Sequence, residues 1–159
     1  AKDLERKGYK VWVPNLPGAD RPNVCNYNPF LLNNWDFNDE TIMIGHSSGA
    51  VSILGLLNKF PNDKKIDKAI LVAGFKDNLD WNALDDLFIY PFDWEKIKKA
   101  AKKFIFIHSD DDPYVPLKHG KYLQEKLGGE LIILKGQKHF SISTAGDKYK
   151  KFPEILKYL

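Results

Sequence analysis

The chain has 159 residues, of which 43% are hydrophobic and 13% aromatic, enough apolar material for the core of one globular domain. Its net charge of +3 comes almost wholly from lysines interleaved with acidic residues, and Arg6 and Arg21 are the only arginines, which argues against nucleic-acid binding. No apolar run approaches the roughly 18 residues of a membrane span, and residues 1–10 have no signal-peptide or anchor pattern, so we expect no membrane association.

The start of the chain predicts an incomplete first unit. Residues 2–8 are typical of the end of a helix whose beginning would precede Ala1, and the first predicted strand, residues 11–13, comes only after it. We therefore expect a single domain, residues 1–159, that is truncated at its N terminus. Cys25 is the single cysteine and cannot close an internal disulfide, which favours a reducing compartment and a cytoplasmic protein.

Short apolar runs alternate with longer amphipathic segments along the chain. The runs are rich in β-branched or aromatic residues and predict strands at residues 11–13, 41–44, 69–72, 104–107 and 131–134. The amphipathic segments predict helices at residues 48–59, 94–103, 117–127 and 152–159. Such alternation is typical of an α/β fold with a three-layer, doubly wound, mostly parallel sheet.

The predicted helices differ in how they are expected to pack against the sheet and the solvent. Small residues at Gly49, Ala50 and Gly55 favour close packing of the first helix on the sheet, and the lysines of residues 96–103 indicate a solvated helix face. The C-terminal segment has one apolar stripe that should dock on the sheet, formed by Phe152, Ile155, Leu156 and Leu159. Residues 17–38 and 76–92 are assigned to no element, and long loops of this kind are often functional.

A Gly-x-Ser-x-Gly pentapeptide follows the strand at residues 41–44 and leads into a helix. In this context it predicts a nucleophile elbow with Ser47 as the nucleophile. Gly45 and Gly49 are expected to prevent collisions with neighbouring backbone, and the backbone N–H of Ser48, at a helix N terminus, is expected to face a developing oxyanion. A chance match in a strand-loop-helix connection is the alternative interpretation of the pentapeptide alone.

An acidic loop follows the next-to-last predicted strand. Of its three consecutive acids we assign the role of orienting a histidine to Asp112, which starts an Asp-Pro-x-Val-Pro turn, and we expect Asp110 and Asp111 to be solvated or to cap a helix. A plain charged loop, or a weak cation site with His108 as a ligand, is the alternative. The loop lacks metal-ligand spacing, so no metal and no cofactor are predicted.

Only one of the four histidines is placed to act as a base. His46 lies within the elbow, His108 ends a strand, and His119 lies on a helix that the pattern predicts to be exposed. His139 lies on the loop after the last strand, where its imidazole can reach a serine. The chain order Ser47, Asp112, His139 is the order of α/β hydrolases.

With these residues, the chain resembles the small single-domain serine hydrolases related to retinoblastoma-binding protein 9 and bacterial YdeN. The resemblance covers nearly the whole length and is carried by Val13-Pro14-Asn15-Leu16-Pro17, Gly45-His46-Ser47-Ser48-Gly49-Ala50, His108-Ser109-Asp110-Asp111-Asp112-Pro113-Tyr114-Val115-Pro116 and His139-Phe140. It implies an α/β-hydrolase fold and a triad of Ser47, Asp112 and His139.

Two departures from this family pattern are present. Lys138 stands where the family usually has glycine, and the front strand with its His-Gly loop is missing. The resemblance implies that this strand would lie between residues 11–13 and 41–44, and that its loop would supply a second oxyanion donor. Loss of one such donor costs about a hundred- to a thousandfold in rate.

The sequence therefore predicts a serine hydrolase that transfers an acyl group to water. Its expected substrate is a small ester, with a short peptide cleaved in the manner of an aminopeptidase as the second hypothesis. Two interpretations remain for the aromatic residues of the unassigned stretch 76–92: they line the wall of a substrate pocket, or they are ordinary core residues. These residues are Trp81, Phe88, Tyr90 and Phe92. The rival function is a weak or inactive hydrolase-fold protein that binds a protein partner.

Overall fold

The sheet contains four strands that are all parallel and lie side by side in chain order. The structure, a computed structural model, describes all residues from Ala1 to Leu159. The strands are β1 (Ile42–His46), β2 (Ile66–Val72), β3 (Ala101–Ser109) and β4 (Glu130–Leu134). In the register of the sheet, Ile44 pairs with Ile70 and Ile70 with Ile105. The predicted α/β class with a parallel sheet is confirmed.

Six α-helices and three 3-10 helices connect or flank these strands. The α-helices are α1 (Lys2–Glu5), α2 (Val24–Asn34), α3 (Ser48–Leu57), α4 (Trp94–Lys99), α5 (Lys118–Leu127) and α6 (Ile142–Ala145). The 3-10 helices span Asn82–Leu87, Asp147–Lys150 and Pro153–Lys157. None of the helices combines the length and the apolarity needed to cross a bilayer.

Apolar side chains cover both faces of the sheet. On one face, residues of α3, α4 and α5 pack with Leu71 and Phe106 in the main core. On the other face, Ile70 and Ile105 pack with side chains of the C-terminal segment, including Phe152, Ile155 and Leu159. The predicted docking of that segment is confirmed for these residues, but not its predicted helix. Its helix begins only at Pro153, because the α conformation is disfavoured for a residue that precedes proline, and the five residues Pro153–Lys157 form a 3-10 helix.

The predicted strand at residues 11–13 is wrong. The sheet ends at β1, and no strand pairs with the outer edge of β1, so the segment finds no neighbouring backbone for a ladder of hydrogen bonds. Side-chain stacking attaches it instead. The ring of Trp12 stacks on Trp35 with centroids 5.4 Å apart and on Phe30 at 6.1 Å.

Two other elements differ from their predicted bounds. The helix predicted at residues 94–103 stops at Lys99 because Ala101 already pairs with Ile66 in the sheet. The unassigned residues 17–38 contain α2, which begins where the side chain of Asn23 accepts a hydrogen bond from the Cys25 N–H at 2.8 Å.

Candidate active site

Ser47 lies on the sharp turn between β1 and α3. Its backbone has φ 55° and ψ −123°, a left-handed conformation that is unfavourable for a residue with a side chain and that exposes the hydroxyl. The Ser47 N–H donates to the Val72 carbonyl at 2.8 Å, which fixes the turn to β2. Because α3 begins at Ser48, the N–H groups of Ser48 and Gly49 have no carbonyl one turn earlier in the helix to accept from them, whereas those of Ala50 and Val51 donate to the Ser47 carbonyl.

The two glycines of the pentapeptide have different surroundings. A Cβ on Gly45 would lie 2.5 Å from the Gly49 carbonyl oxygen, so this position requires glycine, as predicted. A Cβ on Gly49 would meet no atom within 4 Å, and Gly49 has no positive φ. The predicted collision at Gly49 is therefore wrong, because the position faces open space.

Ser47, His139 and Asp112 form one hydrogen-bonded row, although they come from three separate loops. The Ser47 Oγ lies 3.0 Å from His139 Nε2, and His139 Nδ1 lies 2.8 Å from Asp112 Oδ2. Because an ionised carboxylate only accepts, Nδ1–H donates to Asp112, and the unprotonated Nε2 accepts from the serine hydroxyl. In this arrangement the imidazole can take the hydroxyl proton.

The carboxylate of Asp112 is enclosed and well bonded. Only 1% of its side chain is exposed. Burial opposes its ionisation, but the hydrogen bond from His139 and those from the N–H groups of Val115 and Tyr114 outweigh burial and hold the pKa of Asp112 below its usual value. Asp112 is thus charged at neutral pH and can stabilise a protonated His139.

His46 contacts the backbone of His139, a role that the sequence analysis missed. Its Nε2–H donates to the His139 carbonyl oxygen at 2.8 Å, and the two ring centroids lie 4.8 Å apart. Desolvation of the ring lowers the pKa of His46, so it is neutral at pH 7 and can donate from one nitrogen. The adjacency of His46 to Ser47 was the only sequence signal for this contact.

The acids that precede Asp112 bind the loop that carries His139. The N–H of Gly136 donates to Asp110 Oδ1 at 2.9 Å, and the N–H of Lys138 donates to Asp111 Oδ1 at 2.8 Å. Asp110 is exposed and Asp111 partly exposed, in line with the predicted solvation, but both carboxylates also accept from backbone amides of the neighbouring loop, a role that the sequence did not predict. One sequence signal for these contacts was available: a run of acids follows one strand, and a glycine-containing loop follows the next.

The remaining two histidines are buried. His108 is 0% exposed and packs against Gly120, and neither of its ring nitrogens has a hydrogen-bond partner. Burial lowers the pKa of His108 to about 4, so it is neutral. His119 is 2% exposed, which contradicts the predicted exposure, because its ring is turned inward and accepts from the Lys76 N–H at 3.4 Å.

Aromatic side chains lie to one side of His139. The ring of Tyr114 meets the His139 ring edge-on at 5.1 Å, and Trp81, which is 51% exposed, meets Tyr114 at 5.7 Å. Tyr114 also borders a polar depression of about 390 Å³. Phe88 and Phe92 are partly buried and pack against the core, and the exposed Tyr90 lies under the ammonium of Lys59. Of the four aromatic residues named in the sequence analysis, only Trp81 reaches the aromatic contact with Tyr114 beside His139.

Comparison with known proteins gives one family and a consistent set of relatives. The family described as "Serine hydrolase" matches residues 31–159. The serine hydrolase RBBP9 of Rattus norvegicus is 29% identical over 142 residues, which cover 87% of this chain and 74% of the relative. The putative hydrolase YdeN of Bacillus subtilis is 29% identical over 141 residues, with the same two coverages. The crystal structure of the ydeN gene product from B. subtilis matches with a TM-score of 0.88 and 26% identity, over 99% of this chain and 84% of that one.

Proposed function

Since the chain belongs to the serine hydrolase family, we propose that it hydrolyses small carboxylic esters through an acyl-enzyme formed on Ser47. The observation that supports this proposal is the row of hydrogen bonds from Ser47 Oγ through the His139 imidazole to Asp112. Such a row pairs a nucleophile with a base and the base with an anion, which is the arrangement that acyl transfer to water requires.

The reaction would proceed in two halves. Ser47 Oγ attacks the ester carbonyl while its proton passes to His139 Nε2, and Asp112 stabilises the resulting imidazolium. The Ser48 N–H donates to the oxyanion, and collapse of the tetrahedral intermediate breaks the bond to the alcohol, which leaves with the proton from His139. Water then attacks the acyl group, gives its proton to His139, and the acid departs as Ser47 regains its proton.

A labelling experiment with a fluorophosphonate probe tests the nucleophile. We expect one covalent adduct at Ser47, and none in Ser47→Ala. Ser48→Ala is the matched control, because it removes a neighbouring hydroxyl but keeps the backbone N–H, and it should still be labelled. An adduct that persists in Ser47→Ala would refute the assignment.

Turnover of p-nitrophenyl acetate tests the whole hydrogen-bond network of Ser47, His139 and Asp112. Asp112→Asn should lower kcat/KM by about 10⁴-fold, because the amide no longer holds Nδ1 as the protonated nitrogen, and His139→Gln by at least as much. Hydrolysis of aminoacyl p-nitroanilides in preference to esters would favour the aminopeptidase-like alternative. Absence of any Ser47-dependent rate would favour the protein-binding alternative.

A further inference from the structure

The backbone on both sides of His139 adopts a conformation that residues with side chains avoid. Lys138 has φ 54° and Phe140 has φ 50°, both in the left-handed region, and neither is glycine. Such a conformation persists only where the surrounding structure holds it. The direction of the His139 ring therefore depends on contacts that fix this loop.

Asp111 supplies the most complete of these contacts. One oxygen of its carboxylate, Oδ1, accepts from the Lys138 N–H at 2.8 Å and from the Ser109 hydroxyl at 2.7 Å. The other oxygen, Oδ2, lies 2.9 Å from the Lys138 ammonium. A single side chain thus binds both the main chain and the side chain of the residue that directly precedes His139.

This pair differs from an ordinary surface ion pair. The side chains of Lys138 and Asp111 are 48% and 33% exposed, and exposed ion pairs alone contribute little. Here, however, the carboxylate also satisfies a backbone amide in a strained turn. The hydrogen bonds from the Lys138 side chain, Ser109 and the Lys138 N–H hold the pKa of Asp111 far below its usual value, so the carboxylate is charged throughout the neutral range.

We propose that Asp111 is a positioning residue for His139, which fixes the left-handed backbone of Lys138 and thereby directs the imidazole toward both Ser47 and Asp112. The Lys138 ammonium completes the arrangement by holding the Asp111 carboxylate against that backbone. This inference rests on the proposed function, and it adds a residue whose polar contacts are with Ser109 and Lys138 rather than with Ser47. Small displacements of a base reduce rates strongly, by about 10²-fold for 1 Å.

Kinetics of p-nitrophenyl acetate hydrolysis test the role of Asp111. Asp111→Ala should lower kcat by about 10- to 100-fold with KM changed by less than about twofold, because substrate contacts are kept and the base is displaced. Asp111→Asn, which retains a side-chain oxygen for the Lys138 N–H, should lose less. Asp147→Ala is the matched control. It removes an exposed ion pair in which Asp147 Oδ2 lies 2.7 Å from Lys150 Nζ, and it should leave kcat and KM within about twofold of wild type.

Substitution of Lys138 separates positioning from general structural damage. Glycine adopts a positive φ readily. In the Lys138→Gly background, the further change Asp111→Ala should therefore lower kcat by less than about threefold. An equal loss in both backgrounds, or a kcat of Asp111→Ala within about twofold of wild type, would overturn the proposal.

A spectroscopic measurement keeps this test separate from the proposed activity. The Nδ1–H proton of His139 should give a downfield, exchange-protected NMR signal while the ring donates to Asp112. We expect Asp111→Ala to lose this signal to exchange and Asp147→Ala to keep it. Because the signal needs no turnover, it decides the positioning role even if Ser47 cleaves no ester. Wild-type protection in Asp111→Ala would overturn the proposal.

Discussion

Gly45 and Gly49 lie at equal sequence distance from Ser47, yet only Gly45 is sterically constrained. The backbone carbonyl of Gly49 occupies the place that a Cβ of Gly45 would need, whereas nothing occupies the corresponding place beside Gly49. Gly45 is therefore part of the packing between β1 and α3. Gly49 is an ordinary helical glycine near the start of α3.

Alanine substitutions at these two positions should have opposite effects on stability. Gly45→Ala should lower the free energy of unfolding by about 3 kcal/mol or more, because backbone rather than a flexible side chain must move. Gly49→Ala should raise it by up to about 1 kcal/mol, since alanine has the lower entropic cost in a helix. Chemical denaturation of both variants measures the difference. Equal destabilisation would contradict the steric argument.

At the same scale, the sequence alone could predict the proposed reacting side chains but not the residues that hold them in position. Ser47 was identified from its pentapeptide, and Asp112 and His139 from chain order and loop position, and the structure places all three within hydrogen-bond distance. Their catalytic roles stay predictions. The contacts of His46 and Asp111 join a side chain to a backbone group 93 or 27 residues away. Such contacts depend on the register of two loops, which no local pattern encodes.

At the scale of elements, the strands were predictable because each contains a short apolar run, and the two inner strands, β2 and β3, are largely buried. Their ends were not, since β3 continues to Ser109 through polar residues that lie at the rim of the sheet. Residues 11–13 have the composition of a strand, but a strand exists only through a hydrogen-bonded neighbour. Composition alone could not reveal that no strand pairs with the outer edge of β1.

The segment around Trp12 should consequently be attached by its side chain rather than by backbone hydrogen bonds. We expect Trp12→Ala to raise the rate of tryptic cleavage after Lys10 by about tenfold, because two aromatic stacks are lost. Tyr9→Ala, at a position 40% exposed, is the control and should be cleaved at the wild-type rate. Unchanged cleavage of Trp12→Ala would show that other contacts hold the segment.

At the scale of the whole molecule, the titration of buried histidines should make stability depend on pH. The pKa of His108 falls from 6.5 to about 4 on folding, because burial without a partner penalises its charged form. The unfolded chain therefore binds more protons between these values. The contribution of neutral His108 to the free energy of unfolding is therefore full above pH 6.5, and it decreases as the pH falls toward 4. Burial lowers the pKa of His119 as well, so its contribution has the same sign.

Thermal unfolding at pH 7.5 and pH 4.5 measures this dependence. The loss attributable to His108 should approach about 3 kcal/mol, because one pKa unit corresponds to about 1.4 kcal/mol. In His108→Leu the fall in Tm between the two pH values should be distinctly smaller than in wild type. His139→Gln serves as a comparison that removes a histidine with hydrogen-bond partners. A fall in His108→Leu as large as in wild type would exclude His108 as the cause.

Because parallel strands run in one direction, the loops carrying Ser47, Asp112 and His139 emerge at the same rim, and the serine and histidine that meet there are 92 residues apart. A partly refolded chain that has joined β1, β2 and β3 but has not yet added β4 would possess native-like helices and no working centre. Recovery of the proposed ester hydrolysis after dilution from denaturant should thus lag behind recovery of circular dichroism, and the delay would measure the docking of the last strand.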